Sequence, residues 1–240
     1  MNKITFFSLK IFTLLYLSFS LLAQEVAWVE VRLSTETSLQ PMVMAEIETE
    51  TPAFPAEYLQ KLASIAEFDF AHNGQIQLIP KNSPNGNDLT HWSGPTAAFV
   101  LQVFCQNQQI ALRILQTSSR KILQTPFRPV CGDLSQDRRE VHLLSDWLYK
   151  TLFHQEGIAS TKIIYSVSSG PFSHKVAEIW ESDYDGGNPR QITSAKNYAI
   201  TPIYLPPQKG HLSGGLLFVS YVSGQPKIYA CPRKGGVAKR

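Results

Sequence analysis

The chain has 240 residues, 43% of them apolar and only 17% charged, with a formal charge of +3. That length and apolar content suit one large folded domain or two ordinary ones and exclude a wholly disordered chain. The positive balance sits at the two ends, since residues 24–226 hold 15 Lys and Arg against 19 Asp and Glu, and nothing recommends a nucleic-acid-binding surface.

Met1 to Ala23 carries Lys3 and Lys10 and then an acid-free apolar run from Ile11 to Leu22, the layout of a secretory signal peptide. The run is short against the about 20 residues of a spanning helix. Cleavage is expected after Ala23 or after Ser20, with an uncleaved anchor as the alternative. The mature chain then begins near Gln24, and nothing after it is apolar enough to span a bilayer.

The alternating stretch from Trp28 to Leu33 predicts a half-buried strand, and Met42 to Ile47 repeats the pattern. Pro55 followed by Tyr58, Leu62 and Ile65 predicts a short amphipathic helix over 55–66. Gly74 to Pro80 reads as a strand before a loop at Ser83 to Asn87. Three apolar runs, 97–106, 109–117 and 121–129, predict an antiparallel meander. In that order the middle strand holds Cys105 and Cys131 about 9.5 Å apart, beyond disulfide reach, and Cys231 completes an odd count too scattered for a scaffold or a metal site. Asp133 with Gln136 resembles a capping box opening a helix whose apolar face runs through Val141, Leu144, Leu148 and Leu152, with Gly157 as its stop. On that helix Asp146 is expected on the wet face, at ion-pair spacing from Lys150, and Trp147 as an anchor between domains. These elements predict an α/β amino-terminal domain over 24–157, with helices covering one face of the sheet.

Beyond Gly157 the helical period disappears. K-I-I-Y-S-V-S-S-G from Lys162 returns as G-L-L-F-V-S-Y-V-S-G from Gly215, each followed by a second short strand, and a strand-only period of about 50 residues is that of propeller blades. Residues 158–240 are therefore expected to be all-β, the start of an incomplete β-propeller of about one and a half blades. Leu216 to Val222, with no following blade, is expected to be an exposed apolar edge.

Chemistry-bearing patterns are weak. Asp183, Asp185 and Asn188 lack the register of a calcium loop and read as a solvated turn. The histidines at 72, 91, 142, 154, 174 and 211 show no metal-ligand spacing, and no G-x-S-x-G elbow occurs. No catalytic, cofactor-binding or metal-ligating residue is expected, and no cofactor.

The stretch E-I-W-E-S-D-Y-D-G-G-N-P-R-Q-I-T from Glu178, the second repeat from Val219 to Tyr229, and the helix from Arg139 leading into G-I-A-S-T-K-I-I-Y resemble the TolB family. This family supplies the propeller component of the Tol-Pal envelope system. The blade turn Asp185-Gly186 suits a tight turn between strands. The chain departs from the family at Tyr204 to Gln208, where W-S-P-D-G is usual, and carries one blade and part of a second where the family has six, which reads as a truncated member. The resemblance implies a non-enzymatic periplasmic binding and scaffold protein, supporting outer-membrane integrity and cell division. Its implied partners are the peptidoglycan-associated lipoprotein and the inner-membrane Tol proteins, with no nucleic acid and no membrane span after cleavage. It also implies that the first mature residues, Gln24, Glu25, Val26, Ala27, Trp28, Val29 and Glu30, bind the inner-membrane partner by strand addition. A flexible leader is the competing reading of that segment. The alternative function is the non-catalytic propeller region of an exported peptidase.

Overall fold

The structure, a computed structural model, describes residues 39–50, 53–80, 89, 92, 97–171, 175–206 and 215–232. The strand expected over Trp28 to Leu33 and the loop at Ser83 to Asn87 lie outside the described residues. The others fall close to their predicted places. β1 is Gln40–Met44, β2 Glu48–Thr49, α1 Ala56–Ala71, β3 Ile76–Leu78, β4 Phe99–Gln106, β5 Gln109–Gln116, β6 Lys121–Gln124, β7 Arg128–Pro129 and α2 Leu134–Phe153.

The first sheet runs β3-β1-β4-β5-β6, with β2 also on β4 and β7 also on β5. β1 pairs in parallel with both β3 and β4, and β1-α1-β3 is a crossover unit whose helix spans the return. β4, β5 and β6 form the expected antiparallel meander. Cys105 is buried on β4, whereas Cys131 is an exposed free thiol beyond β7. Burial pushes the Cys105 thiol up to about 11.

Period-two alternation decides which side chains meet the helices. Phe99, Leu101, Val103 and Cys105 of β4 share a core with Ile110, Leu112 and Ile114 of β5, Leu62, Ala66 and Phe70 of α1, and Val141, Leu144 and Leu148 of α2. Both helices thus lie on one face. The opposite face is covered over Val43, Val100 and Leu115 by Leu89, Trp92 and Ala97, which is why β4 is buried on both sides. Each of the fully buried aliphatic or aromatic side chains stabilises by about 1.5–3 kcal/mol.

α1 runs five residues past its expected end, because no Gly or Pro interrupts it before Gly74, at φ +75°. α2 is capped as expected in kind: Asp133 accepts from the Ser135 N–H at 2.9 Å, although Gln136 reaches the Asp133 carboxylate at 3.0 Å and not its backbone. Gly157 does not stop α2. The stop is His154, left-handed at φ 56°, whose N–H closes on the Lys150 carbonyl at 2.9 Å.

Beyond α2 come β8 Lys162–Ser169, β9 Val176–Asp183, β10 Arg190–Gln191, β11 Ala199–Tyr204, β12 Gly215–Ser220 and β13 Lys227–Pro232. They form two antiparallel three-stranded sheets, β10-β9-β8 and β11-β12-β13. Ile179 and Ile192 of the first pack on Ala199, Leu216, Phe218 and Cys231 of the second. The described residues close no ring. The expected exposed edge at Leu216 to Val222 is corrected: β12 is the central strand, with Leu216 at 0% and Phe218 at 4% exposure and Leu217 and Val219 half-buried, and Tyr221 and Val222 beyond its end are exposed. The sequence repeat hid the reason. β12 loosely repeats β8 in sequence, but β11 covers one edge of β12, whereas β8 pairs with β9 alone among the described strands.

Candidate functional site

The turn between β9 and β10 does not project into water. It docks across both helices of the first sheet, and almost every polar atom it carries is engaged. Asp183 N donates to the Gly187 carbonyl at 2.8 Å, Gly186 N to the Asp183 carbonyl at 2.9 Å and Gly187 N to Asp185 Oδ1 at 2.9 Å. Gly186 holds φ +80° and Asn188 φ 50°, left-handed angles suited to those residue types. Asp185 Oδ2 then meets the guanidinium of Arg138, and Asp183 Oδ1 the ammonium of Lys162. Asn188 Nδ2 bridges Asp183 Oδ2 at 2.7 Å and the Ser135 carbonyl at 2.9 Å. The Tyr184 hydroxyl donates to the His72 carbonyl at 2.8 Å, with its ring edge-on to Phe68. A Cβ at Gly187 would lie 2.6 Å from Arg138 Nε, so a larger residue there would have to displace the guanidinium from Asp185.

His142 joins this turn to α1. Its Nδ1 lies 2.9 Å from both carboxylate oxygens of Asp69, and its Nε2 lies 3.6 Å from Asp185 Oδ2, a charge contact too long for a hydrogen bond. The side chains of His142, Asp69 and Asp185 are only 2%, 1% and 4% exposed. Burial works against charge on His142, but Asp185 and Asp69 on its two sides lift it to about 9. Burial likewise works against the Asp185 anion, yet His142, the Gly187 N–H and Arg138 bring it down to about 2. Asp69 is raised by its burial, with His142 opposing. With His142 charged, three acids (Asp69, Asp183, Asp185) face three bases (Arg138, Lys162, His142).

The expectation of a solvated turn at Asp183, Asp185 and Asn188 is therefore corrected. His142, Asp183 and Asp185 bring ligand-type atoms within 4.8 Å of one another. Arg138, Lys162, Asn188 and Gly187 already occupy those carboxylate oxygens, however, and the protein's own cations supply the positive charge. The arrangement suits a structural joint and offers no activated nucleophile.

Two readings of α2 also change. Asp146 is not solvated beside Lys150: Oδ1 accepts from Ala159 N at 2.8 Å and Oδ2 from Ser160 N at 2.9 Å, while Lys150 pairs with Glu156. A Cβ at Gly157 would stand 2.1 Å from Asp146 Oδ1, so that glycine permits the strap after α2 to fold onto the carboxylate. Asp146→Ala leaves two amides without their acceptor and is expected to cost about 1–3 kcal/mol in urea unfolding. Trp147, expected as an interdomain anchor, is 41% exposed. The segment Gln24 to Glu30, the expected partner-binding residues, lies outside the described residues.

Asp69, Arg138 and His142 went unrecognised in the sequence. A signal exists in retrospect, because Arg138, His142 and Ser145 follow helical spacing beside the apolar stripe of Val141, Leu144 and Leu148. A recess of about 290 Å³ between the two three-stranded sheets is lined by Glu178, Thr193, Asn197, Phe218 and Tyr229. Its acid is already bound, with Thr193 Oγ1 and the Lys196 N–H both donating to Glu178.

Comparison with known proteins places this architecture. No family model matches the chain. A TolB homolog of Protochlamydia amoebophila is 39% identical over 224 residues, covering 88% of this chain and 48% of the relative. The chain belongs to the TolB family. A TolB homolog of Chlamydia caviae is 28% identical over 92% of the chain and 49% of its own length. The Tol-Pal system protein TolB 1 of Novosphingobium aromaticivorans is 24% identical over 77% and 43%. Among solved structures, TolB from Acinetobacter baumannii superposes with a TM-score of 0.63 at 19% identity, over 85% of this chain and 49% of that one, a likeness of fold. The chain thus spans about half the length of the curated TolB relatives it matches. Among the described residues, no helix is long and apolar enough to cross a membrane.

Proposed function

We propose that this chain is a periplasmic binding and scaffold component of a Tol-Pal envelope system, acting without catalysis. The observation that carries the reading is the 39% identity to a TolB homolog across 88% of the chain. In this reading residues 1–23 are the export signal, 24–157 an α/β amino-terminal domain and 158–240 the beginning of a propeller. Its partners are the peptidoglycan-associated lipoprotein and inner-membrane Tol proteins, the latter bound through Gln24 to Glu30 by adding a strand to a sheet edge. The function supports envelope integrity and division. The non-enzymatic reading is supported by the likeness to TolB homologs. The peptidase-linked reading has no relative behind it among those described.

The test is binding of the exported chain to the soluble domains of both partners from the same organism, by calorimetry. The chain is expected to bind, and deletion of residues 24–30 to abolish binding to the inner-membrane partner while leaving the lipoprotein bound. An exported, folded chain that binds neither partner would refute the proposal.

A further inference from the structure

His142 is enclosed by charged groups from every element packed against it. Asp69 of α1 faces Nδ1, and Asp185 of the β9-β10 turn faces Nε2. Arg138, one turn earlier on α2, holds the other side of Asp185. Asp183 at the end of β9 and Lys162 at the start of β8 complete the set, with Tyr184 between them and α1. His142 thus touches an acid of the helical layer and an acid of the β9-β10 turn at once.

We infer that His142 is a charge-dependent pin: charged, it draws the Asp183–Asn188 turn onto the two helices, and neutral, it loosens that turn, which Arg138, Asn188 and Tyr184 still tether, while both sheets stay folded. The asymmetry lies in the ring geometry. A neutral imidazole keeps one proton, and Nδ1, at 2.9 Å from both Asp69 oxygens, is where it stays. Nε2 then turns a lone pair toward the Asp185 carboxylate at 3.6 Å, and attraction becomes repulsion. The contact with α1 survives, whereas the contact with the blade is lost. The apolar core under the helices and the core between the blade sheets include none of these charged residues, so neither is undone.

Because the flanking acids lift His142 to about 9 from an ordinary value near 6.5, the pin is closed at neutral pH. A raised value means that its contribution is fully present below about pH 6.5 and fades as pH rises through about 9.

The test uses the full exported chain, labelled for magnetic resonance and titrated from about pH 6 to 10. The His142 ring is expected to titrate near 9. Across the same midpoint the Asp183, Gly186 and Gly187 amides should lose about ten-fold of their exchange protection, after correction for intrinsic rate, while β4 and β5 amides keep theirs. His142→Gln should show the loosened turn already at neutral pH, with no further step on raising it. A ring midpoint between 6 and 7, a turn whose protection ignores the titration, or a turn and β4 opening together would each overturn the inference. These readouts come from the unmodified chain, so a variant that fails to fold does not weaken the test.

Discussion

Asp185→Asn is expected to lower the stability of the chain by about 3–5 kcal/mol, the cost of removing one partner from a buried ion pair. Its carboxylate is 4% exposed, accepts from the Gly187 N–H and faces both Arg138 and His142. Asparagine keeps the size but removes the anion, leaving a guanidinium that is 19% exposed without its counter-charge and an enclosed imidazolium with Asp69 as its one remaining acid partner here. For a chain of this size each kcal/mol moves the midpoint by about 2–4 °C, so a fall of roughly 6–20 °C in Tm should be measured by calorimetry. Removing both partners together, in Asp185→Asn with Arg138→Met, should recover part of the loss, because the unpaired cation goes as well. The acid side follows the same logic. Asp185 is held down at about 2, so its contribution is present above the ordinary carboxylate value near 4 and is lost as pH falls through about 2. A single variant within about 1 kcal/mol of the parent would show that the joint is too wet for the pair to matter.

Phe70→Ala should be as damaging by a different route, at about 3–5 kcal/mol. Phe70 is 1% exposed in the core shared by α1, α2 and the first sheet. It also lines a recess of about 60 Å³ with Asp69, Ser145 and Tyr149, so truncation enlarges a space that already borders a charged group. Water entering there would reach Asp69 and weaken the His142 contact along with the packing. Phe70→Leu, which refills much of the volume, should cost about half as much or less. As a contrast, Ile228→Ala on β13 removes a side chain that is 65% exposed and should stay within about 0.5 kcal/mol of the parent in urea unfolding. Equal losses at the two positions would mean that burial does not govern stability in this fold.

Periodicity and turn chemistry, being local, were legible in the sequence. The 3.6-residue stripe of Val141, Leu144 and Leu148 and the capping Asp133 placed α2, and period-two alternation placed β4 and β5. The stretch from Glu178 and the joining helix carry the resemblance to the TolB family. Boundaries were less secure. His154 in the left-handed region ended α2 where Gly157 seemed to offer the stop, because a helix ends where backbone geometry and a free carbonyl coincide, and no residue type alone dictates that.

What only the tertiary structure decided is which polar residues meet. Asp69 and His142 are 73 positions apart, and Arg138 and Asp185 are 47 apart. Nothing in either neighbourhood signals a partner, since a charged residue on a helix reads by default as solvated. Burial reverses that reading: once α1, α2 and the blade turn are packed together, an unpaired charge among them would be costly, and each must find its opposite. The edges of β12 follow the same rule, for its sequence only loosely repeats that of β8, and the β11 strand beside it made it central. Local pattern therefore determined the elements, and long-range packing determined which of their charges and edges are exposed.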